Sequence, residues 1–401
     1  MSAIFPFAAL RPAPGAVAAV ASVPYDVVNS DEARELAAGN PLSFLRVSRP
    51  EIGLPAGADP HADEVYALAA RNFETLRTAA PLVREDAPSF YVYRLRMGNH
   101  VQSGLAACFS IDEYDSGSIK KHEKTRPDKE DDRTKHMVAI RAQTGPVFLT
   151  YRASAAVDAV VGIATFGAPM YDITAPDGVR HEVWRVAREH EQAIVDAFKA
   201  VPALYIADGH HRAASAARAR RLLAGQAGET KGEFDTVLAV AFPDDQMQIL
   251  PYNRIVRDLQ GKSAEQFLAW LKTGMPVREG GPATPERRGE IAMYLAGQWY
   301  TLQPAAAAGT LDVDLLQTSI LEPALGIHDV RTDKRIDFVG GIRGTAALEQ
   351  RVDSGEGAVA FSLFPVSVED LMRIADAGGI MPPKSTWFEP KLRDGLLSHL
   401  I

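Results

Sequence analysis

The chain has 401 residues, 46% of them hydrophobic, a formal net charge of −8 and one cysteine, Cys108. That is ample apolar material for a large core or two packed subdomains. The acidic balance argues against a main role in coating nucleic acid or an anionic membrane, and a lone cysteine excludes a disulfide framework or a cysteine-based metal knuckle.

The first residues carry no basic segment ahead of an apolar run, so no signal peptide is expected. No stretch approaches the roughly 18 apolar residues of a membrane span. A soluble cytoplasmic protein is the expectation. Ala16 to Val23 is small and apolar and leads into Pro24-Tyr25-Asp26-Val27-Val28. Asn29 with Glu32 three residues on reads as a capping box, opening a helix that Gly39 stops. Phe44 to Val47 reads as a strand. Asp26, between an apolar segment and a helix start, can aim a carboxylate into a cleft.

Residues 61 to 78 are helical, with Val65, Leu68, Ala69, Phe73 and Leu76 at helical spacing. Residues 89 to 111 read as a hairpin turning at Gly98-Asn99. Tyr91, Tyr93 and Phe109 read as core residues of that hairpin, and Cys108 as a buried thiol. Residues 119 to 136 are the most charged stretch, with mixed signs and two histidines. It reads as a charged loop leading into an apolar-patterned helix at Met137 and Ile140, and a loop anchored between packed elements is a good place for catalytic groups. His122-Glu123 is not a His-Glu-x-x-His motif, because Arg126 stands where the second histidine would be. Glu123 is the candidate general base or magnesium ligand. Lys121, Thr125 and Arg133 are placed around a phosphate, His122 joins Glu123 and Asp26 as a catalytic candidate, and His122, Glu123 and His136 are potential metal ligands.

Leu204 to Ala207 reads as a short buried strand. Asp208-Gly209 is a turn, and the Ala-rich run from Ala213 is a strong helix former. His210, His211 and Arg212 then fall on the first turn of a helix, where backbone N–H groups lack partners and the dipole favours an anion. A cap alone explains Asp208. It does not explain three consecutive donors where helices usually carry acids. Phe234 to Phe242 reads as a strand buried on both faces, and Ile249 to Val256 as another. Arg254 on that strand is within reach of a ligand, but a lone arginine on a strand is usually structural. Residues 289 to 302 read as a hairpin in a lid or insertion, and residues 311 to 321 as a helix. Asp337 and Arg343, in a basic and then glycine-rich stretch, are further site candidates. Met381-Pro-Pro-Lys-Ser-Thr is a loop stiffened by two prolines, which presents Lys384, Ser385 and Thr386 for phosphate or magnesium contact.

Gly209-His-His-Arg-Ala-Ala, after its apolar strand, resembles the signature box of the ParB/sulfiredoxin superfamily. The whole chain resembles a bacterial family of unknown function marked by Pro24-Tyr-Asp-Val-Val, Lys121-His-Glu-x-Thr, Asp208-Gly-His-His-Arg and Met381-Pro-Pro-Lys-Ser-Thr. The resemblance implies that the box binds nucleotide phosphates. The loops Lys121 to Arg133, Asp208 to Arg212 and Lys384 to Thr386 are expected to converge in one cleft, with donors for ATP or ADP and with Glu123 and Asp208 as acids for magnesium. The resemblance also implies a distant relation to kinases that phosphorylate free serine. Sulfiredoxin chemistry is argued down, because His210 stands where that reductase keeps its cysteine.

The expected fold is α+β, mixed sheets with flanking helices, with the ParB/sulfiredoxin-like core around residues 201 to 256. Residues 1–401 read as one unit, with subdomains 1–155, 156–260 and 261–401. The functional readings are a phosphotransferase acting on a small hydroxyl metabolite, a non-catalytic nucleotide sensor, and a histidine-based metal hydrolase.

Overall fold

The computed structural model describes residues 2–55, 57–79, 81–227, 231–307 and 309–401. Its architecture is α+β, with mixed and antiparallel sheets flanked by helices. It divides into two compact units, one running to Met247 and taking back Pro390–Ile401, the other Gln248–Glu389. These boundaries fall elsewhere than residues 155 and 260. Among the described residues no helix is long and apolar enough to cross a membrane.

The first unit is built on a nine-stranded sheet. In spatial order its strands are Ile119–Lys120, Leu204–Asp208, Val147–Tyr151, Thr236–Pro243, His100–Ser110, Tyr91–Met97, Arg180–Arg185 and Tyr171–Thr174. Ile4–Phe5 pairs with the far end of His100–Ser110. Thr236–Pro243 lies parallel to Val147–Tyr151 and antiparallel to His100–Ser110. Both its faces are covered, which is why it reads as an unbroken apolar run. Phe109, Tyr151, Phe198, Ile206 and Ala239 are buried together against the Ala-rich helix. Ala213, Ala214, Ala216, Ala217 and Ala219 are all buried, so the helix backbone approaches the sheet closely. Tyr91 and Tyr93 are buried core residues and Cys108 is a buried thiol, as the sequence suggested.

Helix His210–Ala227 packs on helix Pro127–Ile140, and Ser215 Oγ donates to the Glu130 carbonyl at 3.2 Å. The charged stretch is therefore a loop only as far as Arg126. Asp132, His136 and Ile140 recur at i, i+4 and are all buried. Met137 and Ile140 marked only the end of this helix; it starts as early as Pro127, and the buried face before Met137 is polar, so no apolar stripe announced that part. Residues 44 to 47 are not a strand but run into the helical turn Leu45–Ser48. Phe44 and Val47, three apart, sit in one apolar cluster with Phe73 and Ile140. The capping box at Asn29 and Glu32 is present, with the Asn29 side chain accepting from the Glu32 N–H at 2.9 Å.

The second unit holds an antiparallel six-stranded sheet, ordered Val277–Glu279, Gln298–Leu302, Ile291–Leu295, Val359–Leu363, Tyr252–Val256, Ile336–Gly340. The hairpin expected at 289 to 302 is present, but it lies inside this sheet and is not a lid. Pro251 breaks the expected strand at 249 to 256 into Gln248–Leu250 and Tyr252–Val256, because proline cannot donate to a ladder. The helix expected at 311 to 321 widens into a π-turn over Gln317–Leu321.

Phe198 is fully buried and meets Tyr151 edge-on at 5.3 Å between ring centroids. Phe198→Ala is expected to destabilise the chain by about 3–5 kcal/mol in chemical denaturation. Leu36→Ala, at a half-exposed position, is expected to change stability by less than about 1 kcal/mol.

Candidate functional site

Strand Leu204–Asp208 ends at Gly209, whose φ of +91° turns the chain into helix His210–Ala227. Only glycine takes that conformation without strain. A Cβ there would also stand 3.0 Å from Arg212 Nε. The turn fixes Asp208: its Oδ1 accepts from the Gly209 N–H at 2.8 Å, and its Oδ2 accepts from Lys391 Nζ at 3.0 Å.

Arg212 is 8% exposed. Its Nη1 donates to the Pro146 carbonyl, and its Nη2 lies 3.6 Å from Asp208 and 3.8 Å from Asp26. Its Nε is buried and has no hydrogen-bond partner among the described residues. A third acid, Asp394, abuts the turn at Gly145, where a Cβ would come within 2.8 Å of Asp394 Oδ1. Tyr25, Arg133, His136, Gly145, Arg212 and Asp394 line one pocket. Arg133 is taken up structurally: it donates to Asp132 at 2.8 Å and to the Ser48 carbonyl at 3.1 Å, and it stacks 4.3 Å from the Tyr25 ring centroid.

Burial works against every charge here, and the neighbours decide the outcome. For Asp208 burial raises the pKa, but Lys391, Arg212 and the Gly209 N–H outweigh it and hold the carboxyl well below the usual range. For Arg212 burial lowers the pKa, but Asp26, Asp208 and Asp394 hold it above its ordinary value. For Asp394 burial wins, helped by Asp26 and only partly offset by Arg212 and Arg133, and its pKa is pushed up to about 7.

The segment before helix Pro127–Ile140 hangs from the paired imidazoles. The His122 N–H donates to His210 Nε2 at 3.5 Å, and the Arg126 N–H donates to His211 Nε2 at 3.1 Å. These Nε2 atoms therefore serve as acceptors from the backbone, not as donors to an anion. The His122 ring stands edge-on to His210 at 4.5 Å and is 1% exposed. Neither His122 ring nitrogen makes a hydrogen bond of normal geometry among the described residues, although the Ile206 backbone and Asp208 favour protonation. Burial pushes His122 down to about 4 and His210 well below its ordinary value, so both rings are neutral at pH 7. One ligand atom from each of His122, Glu123 and His210 falls within 4.8 Å of the others. Such a set can hold a metal ion, and neutral imidazoles are the form that ligates one.

The structure thus brings Asp26, His122, Glu123, Asp208, Gly209, His210, His211 and Arg212 into one region of the first unit. Lys121 lies over the Tyr114 ring at 3.6 Å, and Thr125 Oγ1 donates to Glu130. Lys384, Ser385 and Thr386 belong to the second unit. There the Lys384 carbonyl accepts from Arg254 at 3.0 Å, and Ser385 Oγ donates to the Pro382 carbonyl at 2.6 Å. Asp337 pairs with Arg351, and Arg343 is exposed. The residues that sequence reasoning missed as site residues are Tyr25, Gly145, Lys391 and Asp394. Tyr25 lies within the Pro24-Tyr-Asp-Val-Val mark beside Asp26, whereas no motif surrounds Gly145, Lys391 or Asp394.

Residues 4–320 match the family described as "Protein of unknown function (DUF1015)". The chain belongs to this family. No curated protein matches it in sequence. Among solved structures, a free serine kinase mutant in complex with AMP is 13% identical, with a TM-score of 0.37 over 73% of this chain and 92% of that one. Another mutant of free serine kinase, in complex with ADP, is 14% identical at a TM-score of 0.37, with the same coverage. A conserved hypothetical protein from Pyrococcus furiosus is 15% identical at 0.37, over 74% of the DUF1015 chain and 95% of its own.

Asp394 supplies a pH signature. A carboxyl whose pKa rises on folding, here from 3.8 to about 7, stabilises the fold below its unfolded value and loses that contribution as pH rises through about 7. His122 and His136, depressed to about 4, act in the opposite sense and lose stability as pH falls below 6.5. The clean readout is the difference between wild type and Asp394→Asn. Denaturation from pH 4 to 8 is expected to show wild type losing stability relative to the variant as pH rises. A difference that does not change with pH would contradict the buried, protonated carboxyl.

Proposed function

We propose that the first unit binds a nucleotide and transfers its terminal phosphoryl group to the hydroxyl of a small metabolite, as the likeness of its sequence box to free-serine kinases suggests. The observation that carries this reading is Arg212, a buried guanidinium on the first turn of a long helix with one donor unspent. Helix start and guanidinium fork together suit phosphate oxygens. Lys391 adds a second cation, fixed by Asp208. Glu123 takes the proton of the acceptor hydroxyl while that oxygen forms its bond to phosphorus and the bond to the nucleoside diphosphate breaks. In such reactions positioning and charge neutralisation do most of the work.

The residues do not fit a magnesium site made by the protein alone. Magnesium asks for oxygen ligands. Both Asp208 oxygens are engaged by Lys391 and Gly209, and the group around Glu123 offers two imidazole nitrogens and one carboxylate.

Turnover of ATP with a panel of small hydroxyl metabolites tests the reading. Glu123→Gln is expected to lower turnover by about 10²–10⁴ while leaving nucleotide affinity unchanged. Arg212→Gln is expected to weaken nucleotide binding about tenfold or more. Binding without turnover under every acceptor would make the site a sensor. A second reading, a metal-dependent hydrolase, is favoured by the His122, Glu123, His210 group. It requires zinc or manganese in the purified protein and its loss in His122→Ala. Metal-free protein, unaffected by chelators, would remove it.

A further inference from the structure

Independently of that reading, we propose that the second unit has its own binding pocket, built on Arg254, for a small metabolite carrying a carboxylate or phosphate group. Arg254 sits on the strand Tyr252–Val256 and is 3% exposed. Among the described residues its contacts are all with neutral groups. Its Nη1 donates to the Tyr252 carbonyl, its Nη2 donates to the Lys384 carbonyl at 3.0 Å and reaches the Pro383 carbonyl at 3.5 Å, and the guanidinium lies 5.1 Å from the Phe338 ring centroid. No carboxylate pairs with it among the described residues. Other arginines of this unit have one: Arg288 has Asp370, Arg335 has Asp333 and Arg351 has Asp337.

Carbonyls satisfy N–H donors but bring no charge, so a cation taken out of water here remains uncompensated. Burial pushes its pKa down only to about 10, so it keeps the charge at pH 7. Arg254 lines a cavity of about 300 Å³. That is the lower end of the size range of small-molecule sites. Arg331, Gln317, His328 and Asp329 line it too, with Pro382 and Pro383. Asp329 holds Arg331 bidentately at 2.9 and 2.7 Å, which leaves two guanidinium groups against one carboxylate in the wall. The wall is stiff: two prolines precede Lys384, whose φ of +59° turns its carbonyl onto Arg254. Gln317 comes from the π-turn, a distortion often found at functional sites. Anchoring the Pro382–Thr386 loop needs the donors of Arg254 but not its charge. The charge and the second arginine call for an anion, and the planar fork suits a carboxylate or phosphate.

Calorimetric titration of the full chain with inorganic phosphate, and separately with succinate, tests this. Each anion is expected to show a binding event that Arg331→Gln weakens about tenfold and Arg212→Gln leaves unchanged. Phosphate can also bind in the first unit, so the component lost in Arg331→Gln alone is the one that counts. Arg254→Lys, which keeps the charge but gives up part of the loop anchor, is expected to weaken the same event, whereas Arg331→Gln leaves that anchor intact and is expected to weaken it with an unchanged melting profile. Which of the two anions binds more tightly assigns the chemical group. Binding lost only in Arg212→Gln overturns the proposal and leaves the phosphotransfer reading standing. No binding of either anion at millimolar concentration overturns it as well.

Discussion

The first unit depends on one buried positive charge. A guanidinium taken out of water costs several kcal/mol unless opposite charge and hydrogen bonds meet it. Arg212 is met by Asp26, Asp208 and Asp394 and by the Pro146 carbonyl, groups far apart along the chain. To seat it, the sheet, the Pro24 turn, the Gly145 turn and the Pro390–Ile401 segment must all be in place. The three acids also compete. Two lie close enough to the cation to pair with it, and the third, wedged against Gly145, is pushed up to a pKa of about 7. The cluster is close to electrically balanced, and one guanidinium donor is left over.

The paired histidines do a second job. The segment carrying Glu123 has almost no regular structure, and backbone bonds to two imidazoles hold it. Those bonds require neutral rings, because a protonated imidazole has no acceptor to offer. Burial keeps His210 neutral, so the desolvation that costs energy also preserves the acceptor. The position of Glu123 is thus tied to the same helix start that presents Arg212.

The second unit answers the burial problem differently. Arg254 is surrounded by carbonyls and an aromatic face, which satisfy hydrogen bonds but leave the charge. The contrast with Arg212 is one of counterions: three acids in one case and none among the described residues in the other. The proline-stiffened loop belongs to this second arrangement, where the Lys384 carbonyl, not its amine, meets the arginine.

Much was legible in the sequence. Apolar runs gave the buried strands, the capping box at Asn29 gave a helix start, and Asp208-Gly209 before an alanine-rich run gave the strand, turn and helix of the site. Such features are local, since they follow from φ preferences, caps and periodicity within a few residues. Of helix Pro127–Ile140 only the end at Met137 and Ile140 was legible, because the buried face before it is polar, and residues 44 to 47 were misread because a four-residue run has no distinguishing period. What only tertiary structure decided is which charges meet. Burial and pairing across more than a hundred residues set the states of Asp208, Asp394 and the histidines, and gave Arg212 acids while leaving Arg254 without them. No local pattern encodes a partner that another part of the chain supplies.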